Sequence, residues 1–363
     1  MKKYDSVIRF EEASPKWTVA FQDYFNHVQT IERGAKGLTF SDLSLNEKET
    51  ALNKLFAEEL SARCGMTVPE NFDACRRFAT NPTVLYFADE IVDQTVDMIL
   101  PDTLIQSIGM IADIRFGGFL DSFTFDIENN ALFAVARSGR RQRNVPAQIL
   151  ENTTVTLAPV NREVTVVTNL PEILSGRKSI GKFIMKVMRS IETQMLYDCY
   201  DAFTTAMDAA PAGTLALTSY TENTLISLCE RVTAYNQGRK AVIVGTPVAL
   251  KTVLPSSSNA RILLDSDYVT AGHIPVFNGY DVIPMSQVAD YTSTTYGLKL
   301  KDNRIYVVSP ASDKIMKVAV GGDTLSHTSG AYDKANLSMF GTVSKAWDVG
   351  AITNSVAGEV QLS

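Results

Sequence analysis

Residues 179–207, SIGKFIMKVMRSIETQMLYDCYDAFTTAM, decide how the rest of the chain is read. Ile180, Ile184, Val187, Ile191, Met195, Cys199 and Phe203 recur at spacings of three and four, and Phe183, Met188 and Leu196 widen the stripe. That period predicts one long amphipathic helix, ended by Pro211 and Gly213. Its charges run against the macrodipole, with Lys182, Lys186 and Arg189 early and Asp198, Asp201 and Asp208 late. The arrangement costs local stability, so packing or partner charges must offset it.

Immediately upstream the period is that of strands. Phe123, Phe125 and Ile127 alternate with Thr124 and Asp126, Glu128-Asn129-Asn130 supplies turn chemistry, and Ala131 to Val135 returns as strand. A basic loop follows, with Arg137, Arg140, Arg141 and Arg143, then Val155 and Leu157 in alternation and a β-branched run from Val164 to Thr168. The segment from about Asp121 to Thr168 thus reads as a long β-arm with few large apolar residues near its tip. An isolated hairpin is marginal in water, so the arm is expected to lie against another domain or another copy of the chain.

Before the arm, the first hundred residues read as helical. Ser44-Leu45-Asn46-Glu47 fits a capping box. Leu52, Leu55, Phe56 and Leu60 share a face that stops near Gly65, and a second stretch from Val84 to Ile99 is expected to end before Pro101. The period changes from helix to strand after Gly117-Gly118. Beyond the long helix, residues 214–310 read as an α/β unit. It has a helix from Tyr220 to Tyr235, a buried strand from Ala241 to Val244 and a short helix opened by Gly245-Thr246-Pro247. A strand–turn–strand step runs from Val276 to Ile283, and another strand from Ile305 to Val308. From Lys314 the tail is β again, with Leu337, Met339, Val343, Trp347 and Val349 in step.

The chain has 363 residues with 45% hydrophobic and 20% charged side chains, which is globular composition with room for two or three domains. A net charge of −6 argues against gripping nucleic acid through overall charge. Four cysteines without C-x-x-C spacing read as reduced thiols in an intracellular protein. Met1-Lys2-Lys3 carries charge but no apolar h-region follows, and no stretch approaches the ~18 apolar residues of a membrane helix, so neither export nor membrane insertion is expected.

The search for chemistry finds no catalytic, cofactor-binding or metal-ligating set. Gly176 to Lys182 matches the spacing of a phosphate-binding loop, but Phe183 stands where a magnesium-binding Ser or Thr belongs. His27, His273 and His327 are scattered and form no metal pattern. Asp265-Ser266-Asp267 lacks neighbouring ligands for a divalent cation, and no Gly-x-Ser-x-Gly elbow exists. The arginines of the basic loop are more informative. No lysine occurs between Lys54 and Lys178, and arginine favours planar, bidentate partners where solubility alone would accept lysine.

In this order the pieces resemble the major capsid protein of tailed double-stranded DNA bacteriophages, the Hong Kong 97-like fold. The residues carrying the resemblance are the arm Ser122 to Thr168, the helix Ser179 to Met207, Ala241 to Pro247, Gly272 to Ile283 and Asn303 to Val308. It implies an α+β architecture with four parts: a helical N-terminal arm over 1–110, an E-loop β-arm and flanking strands over 111–170, a P-domain over 171–213 and 311–363 with the spine helix and returning β-strands, and an α/β A-domain over 214–310. It also implies that the E-loop lies across a neighbouring subunit and that hexamers and pentamers build an icosahedral shell around packaged DNA.

Arg137, Arg140, Arg141 and Arg143 are then expected at an intersubunit interface. Expected partners are further copies of the chain, a separate scaffolding protein, a portal protein, and DNA held by proximity without sequence recognition. The setting is a virion assembled in the host cytoplasm. Some members weld their shells by an isopeptide bond from an E-loop lysine, and the absence of lysine from this arm implies that this weld is missing. An encapsulin-type nanocompartment shares the fold, and a cytosolic phosphate-binding enzyme using Gly176 to Lys182 is the alternative from another class.

Overall fold

The long stripe of residues 179–207 forms a single helix, α6 (Ile180–Asp208), whose N-terminus is capped by the Ser179 side chain. The structure is a computed structural model describing residues 15–33, 43–69, 71–118, 121–127, 152–168, 170–255, 268, 272–290, 295–310, 313–329 and 339–362. The N-terminal third contributes α1 (Pro15–Arg33), α2 (Leu45–Cys64), α3 (Phe72–Phe78) and α4 (Pro82–Ile108). At the start of α2, Ser44 and Glu47 cap one another's backbone N–H groups, and Gly65 ends the helix at φ 65°. That left-handed geometry suits glycine.

Helix α4 departs from the sequence expectation by running through Pro101. Proline removes one helical hydrogen bond and costs about 3 kcal/mol. Beyond it, however, Leu104 and Ile108 are almost wholly buried. At about 1.5–3 kcal/mol for each such side chain, their burial outweighs the break.

A four-stranded sheet lies under the spine, in the order β1 (Ala112–Gly117), β10 (Met316–Thr328), β11 (Met339–Ala351), β4 (Val160–Thr168). Strand β1 lies just before the change of period at Gly117-Gly118, and its support is parallel pairing with β10 some two hundred residues away. Strand β4 also corrects the sequence reading. Residues 160–168 do not extend the arm; they pair antiparallel with β11, from Val160 opposite Trp347 to Thr168 opposite Met339. Among the described residues the arm consists of β2 (Phe123–Ile127) against β3 (Thr153–Leu157), in register from Phe123–Leu157 to Ile127–Thr153.

The second sheet has six strands in the order β5 (Ala216–Leu217), β12 (Gly358–Gln361), β9 (Arg304–Val308), β6 (Val242–Gly245), β8 (Tyr280–Pro284), β7 (Val276–Phe277). Asn278 and Gly279 turn β7 into β8 at φ 47° and 83°, the backbone signature of a tight hairpin. Helix α7 (Glu222–Tyr235) and the short α8 (Pro247–Leu250) complete this unit, whose core gathers Leu225, Leu228, Ile243, Ile305, Val307 and Val360. The terminal strand therefore leaves the 311–363 tail and joins the 214–310 unit. Gly358 makes this possible, since a Cβ there would meet Leu228 Cδ1 at 2.7 Å and the Leu215 carbonyl oxygen at 2.8 Å.

The main core joins the N-terminal helices to the spine and the four-stranded sheet. Trp17, Phe21, Phe56, Leu60 and Ile91 share it with Ile184, Met195, Phe203, Val318 and Trp347. The outer edge of β10 is covered in a particular way. Strand β1 pairs only with Met316–Gly321; a bulge follows, and the free edge of Thr324, Ser326 and Thr328 then faces α4. Asp97, Asp93 and Asp89 accept the backbone N–H groups of those three residues at 2.9, 3.0 and 2.8 Å. The match is geometric, because four residues of helix rise about 6 Å and two residues of strand about 6.7 Å.

Candidate functional site

The arm, the spine ends and the glycine-bearing turn before the spine are the places where sequence pointed to function. At the root of the arm, Phe123, Phe125 and Leu157 form a small core with Ala319 of β10. The Arg115 guanidinium lies 4.3 Å from the centre of the Phe125 ring and donates to the Thr124 carbonyl. Gly321 gives the arm room to approach, since a Cβ there would meet Pro159 at 3.0 Å and Phe123 at 3.3 Å. Asp348 accepts the Ala158 N–H at 3.1 Å, fixing the point where chain leaves β3 for β4. The arm is thus anchored at its base to the chain's own sheet. Arg137, Arg140, Arg141 and Arg143 lie outside the described residues, as does Asp265-Ser266-Asp267.

The unfavourable charge order of the spine is answered by partners at both ends. Lys182 near the N-terminus pairs with Glu49 of α2 at 2.9 Å. Toward the C-terminus, Asp198 accepts from Arg162 at 2.8 Å and from the Trp347 indole at 2.9 Å. Asp201 pairs with Lys299, and Asp208 with Lys301 and Arg304. Burial alone would raise the Asp208 pKa, but hydrogen bonds from Lys301 and Arg304 outweigh it and hold the carboxyl below its usual range. Arg304 also reaches Glu359 at 2.7 Å, so one guanidinium links the spine to the terminal strand. Asp198 thus ties the helix to the four-stranded sheet through β4 and β11, and Asp208 ties it to the six-stranded sheet through Arg304 of β9. They oppose the dipole because they serve as tertiary ties.

The turn from Gly176 to Lys182 does not form a phosphate cradle. It follows the short helix α5 (Leu170–Leu174) rather than a strand, and Gly176 provides a left-handed turn at φ 74°. Asn53 accepts the Ile180 N–H at 2.9 Å, and Ser179 accepts the Lys182 N–H at 3.3 Å. Glu49 holds the lysine ammonium that would otherwise meet a phosphate. Gly181 is small for packing, because a Cβ there would meet the Tyr24 ring at 2.9 Å. A groove of about 620 Å³ lies beside this turn, lined in part by Arg177, Lys178, Lys182 and Lys186. Arg177 stacks on Phe72 at 4.3 Å and Lys178 pairs with Glu172 at 2.5 Å.

Nothing nucleophilic is assembled elsewhere among the described residues. The four cysteines are free thiols, and burial pushes Cys199 and Cys229 up to about 12, so neither is a thiolate near neutral pH. Among the described residues no cluster of three His, Cys, Asp or Glu side chains could hold a metal ion. None of their helices is long and apolar enough to cross a membrane. The cluster that sequence reasoning missed is Asp89, Asp93 and Asp97. Its signal was there as acids at every fourth position opposite hydroxyl residues at every second, but the two patterns lie over two hundred residues apart.

No protein-family model and no curated protein matches the sequence. Solved structures do. The chain is similar to the capsid of a native GTA particle at a TM-score of 0.50 and 11% identity, over 71% of this chain and 90% of that one. It also resembles the capsid of the cyanophage P-SCSP1u at a TM-score of 0.46 and 11% identity, over 70% and 86% of the two chains. A virus-like particle from Pyrococcus furiosus matches at 0.41 and 9% identity, over 73% and 98%.

Proposed function

We propose, from the premise that this chain has the mixed helix-and-sheet fold of the Hong Kong 97-like capsid proteins, that it is the subunit of a closed protein shell. The observation that carries the reading is the fold shared with the GTA particle capsid over 90% of that chain. The local geometry supports it. A spine helix is clamped at both ends, and among the described residues a two-stranded arm is rooted on the sheet below it through Phe123, Phe125, Leu157 and Ala319.

In this reading the subunit forms hexamers and pentamers of an icosahedral phage head that encloses double-stranded DNA. Residues 121–157 act as the arm laid across a neighbour, and Arg137, Arg140, Arg141 and Arg143 pair with carboxylates there. Residues 214–310 with β12 form the A-domain, and the spine with the four-stranded sheet the P-domain. The chain works as a structural protein rather than an enzyme, with scaffolding and portal proteins as assembly partners and the virion as its destination. DNA is retained by enclosure, which a chain of net charge −6 can do without gripping it. Electron microscopy of the purified protein tests the reading. Uniform hollow shells are expected, and a protein that stays monomeric at every concentration and salt would overturn it.

A further inference from the structure

The contact between α4 and the free edge of β10 is built from acids. Asp89 accepts both the N–H and the hydroxyl of Thr328, at 2.8 and 2.6 Å. Asp97 accepts both from Thr324, at 2.9 and 2.5 Å. The central rung differs. Asp93 Oδ2 accepts the Ser326 N–H at 3.0 Å, while Asp93 Oδ1 is buried with no hydrogen-bond partner. The Ser326 hydroxyl donates instead to the Asp89 carbonyl oxygen at 3.0 Å.

The charges around this rung are mostly of one sign. On α4 itself Asp89 lies one turn before and Asp97 one turn after, and Glu90 is engaged by Arg63 of α2 at 3.3 Å. On β10 the nearby titratable groups are Asp323 and His327; on β11 Lys345 reaches Asp97 at 2.7 Å and the Gly322 carbonyl at 2.8 Å. Glu192 of α6 is held further along α4 by the Ser107 hydroxyl at 3.2 Å. The lysine therefore neutralises the Asp97 rung, and His327 stands nearest the Asp89 rung. The middle carboxylate has neither. One of its oxygens bears charge in a dry, unpartnered position, which is costly for an anion and far less so for a neutral acid.

We propose that Asp93 is a proton-controlled latch, closing α4 onto the edge of β10 when protonated and loosening it when ionised. A neutral Asp93 keeps its carbonyl oxygen on the Ser326 N–H and ends the repulsion between three acids along one helix face. Burial, with the charges of Asp97 and Asp89, raises the Asp93 pKa to about 7, against the hydrogen bond from the Ser326 N–H. The sign follows from linkage. A carboxyl whose pKa is higher in the closed state than in the open one favours closure at low pH, and that advantage is lost as pH rises through about 7. The latch lies within one chain and does not depend on assembly.

Hydrogen exchange of residues 324–328 in the full chain, corrected for intrinsic rates, reads the latch directly. For one carboxyl titrating near 7 when closed and near 3.8 when open, protection should fall about tenfold from pH 6 to pH 8. Asp93→Asn, a neutral amide of the same shape, should hold the same protection at both pH values within about twofold. A wild-type protection that is flat or rises with pH overturns the proposal. So does an undiminished fall in Asp93→Asn, which would place the titration elsewhere. Should that variant fail to fold, Asp93→Ala, which also removes the titrating carboxyl, must lose the pH dependence by the same criterion.

Discussion

Gly181 and Lys182 illustrate how a motif and its chemistry part company. The spacing from Gly176 to Lys182 imitates a phosphate loop, yet each member has another task in the structure. Gly176 turns the chain, Gly181 lets Tyr24 and Leu52 approach the spine, and Lys182 pairs with Glu49. The two residues should therefore respond to substitution in opposite proportion to what a nucleotide site demands. Gly181→Val forces a branched side chain against the buried Tyr24 ring and should destabilise the fold by about 1–3 kcal/mol. Lys182→Ala removes a pair whose lysine is 64% exposed and should cost no more than about 1 kcal/mol. Denaturant midpoints measure both. A larger loss at Lys182 than at Gly181, or nucleotide binding that vanishes with Lys182, would revive the enzyme reading.

At the scale of elements, what was legible was local. The spine announced itself through its stripe and its ending; the Ser44–Glu47 box and the Asn278-Gly279 turn were equally readable, because each is decided within a few residues. Pairing over long distances was not. Residues 160–168 have the same β-branched texture whether they extend an arm or join β11, and only the partner strand distinguishes the two. The same blindness hid the partner of β1, the crossing of β12 and the acid ladder on α4. The continuation of α4 past Pro101 was missed because a proline signal is read locally, whereas the burial that overrides it is tertiary. The arm carries its own prediction. Among the described residues its root gathers Phe123, Phe125 and Leu157 on Ala319, and the reading as a shell subunit assigns further stabilisation to a neighbouring copy. Arg137, Arg140, Arg141 and Arg143 are its concentrated charge. Exposed ion pairs give about 0–1 kcal/mol each, but a closed shell repeats them in every subunit, so small losses compound. Replacing all four with alanine should lower particle yield and shell melting temperature while leaving the spectroscopic signature of the subunit intact. Particles of unchanged yield and thermal stability would remove these arginines from the interface.

For the molecule as a whole, the question is what would hold such a shell together. Covalent closure through the arm requires an amine, since an isopeptide bond forms when a lysine side chain displaces ammonia from an asparagine amide. Between Lys54 and Lys178 there is none, and every cation in the arm is a guanidinium. Guanidinium groups stay protonated at any pH the fold survives and are not nucleophiles of this kind. The cysteines offer no substitute, because three of the four are buried and all are unpaired. Without that weld, cohesion is expected from arm contacts, ion pairs and apolar surface. Purified particles boiled in denaturant should accordingly run as one band at the 39.8 kDa of the single chain. A ladder of covalent multimers under reducing conditions would contradict this and direct attention to lysines outside the arm. Non-covalent closure also makes the shell sensitive to salt where ion pairs dominate and tolerant of it where burial does. The salt dependence of shell melting, compared between wild type and the quadruple alanine variant, apportions the two contributions. The variant should show the shallower dependence if the arm arginines carry the ionic part.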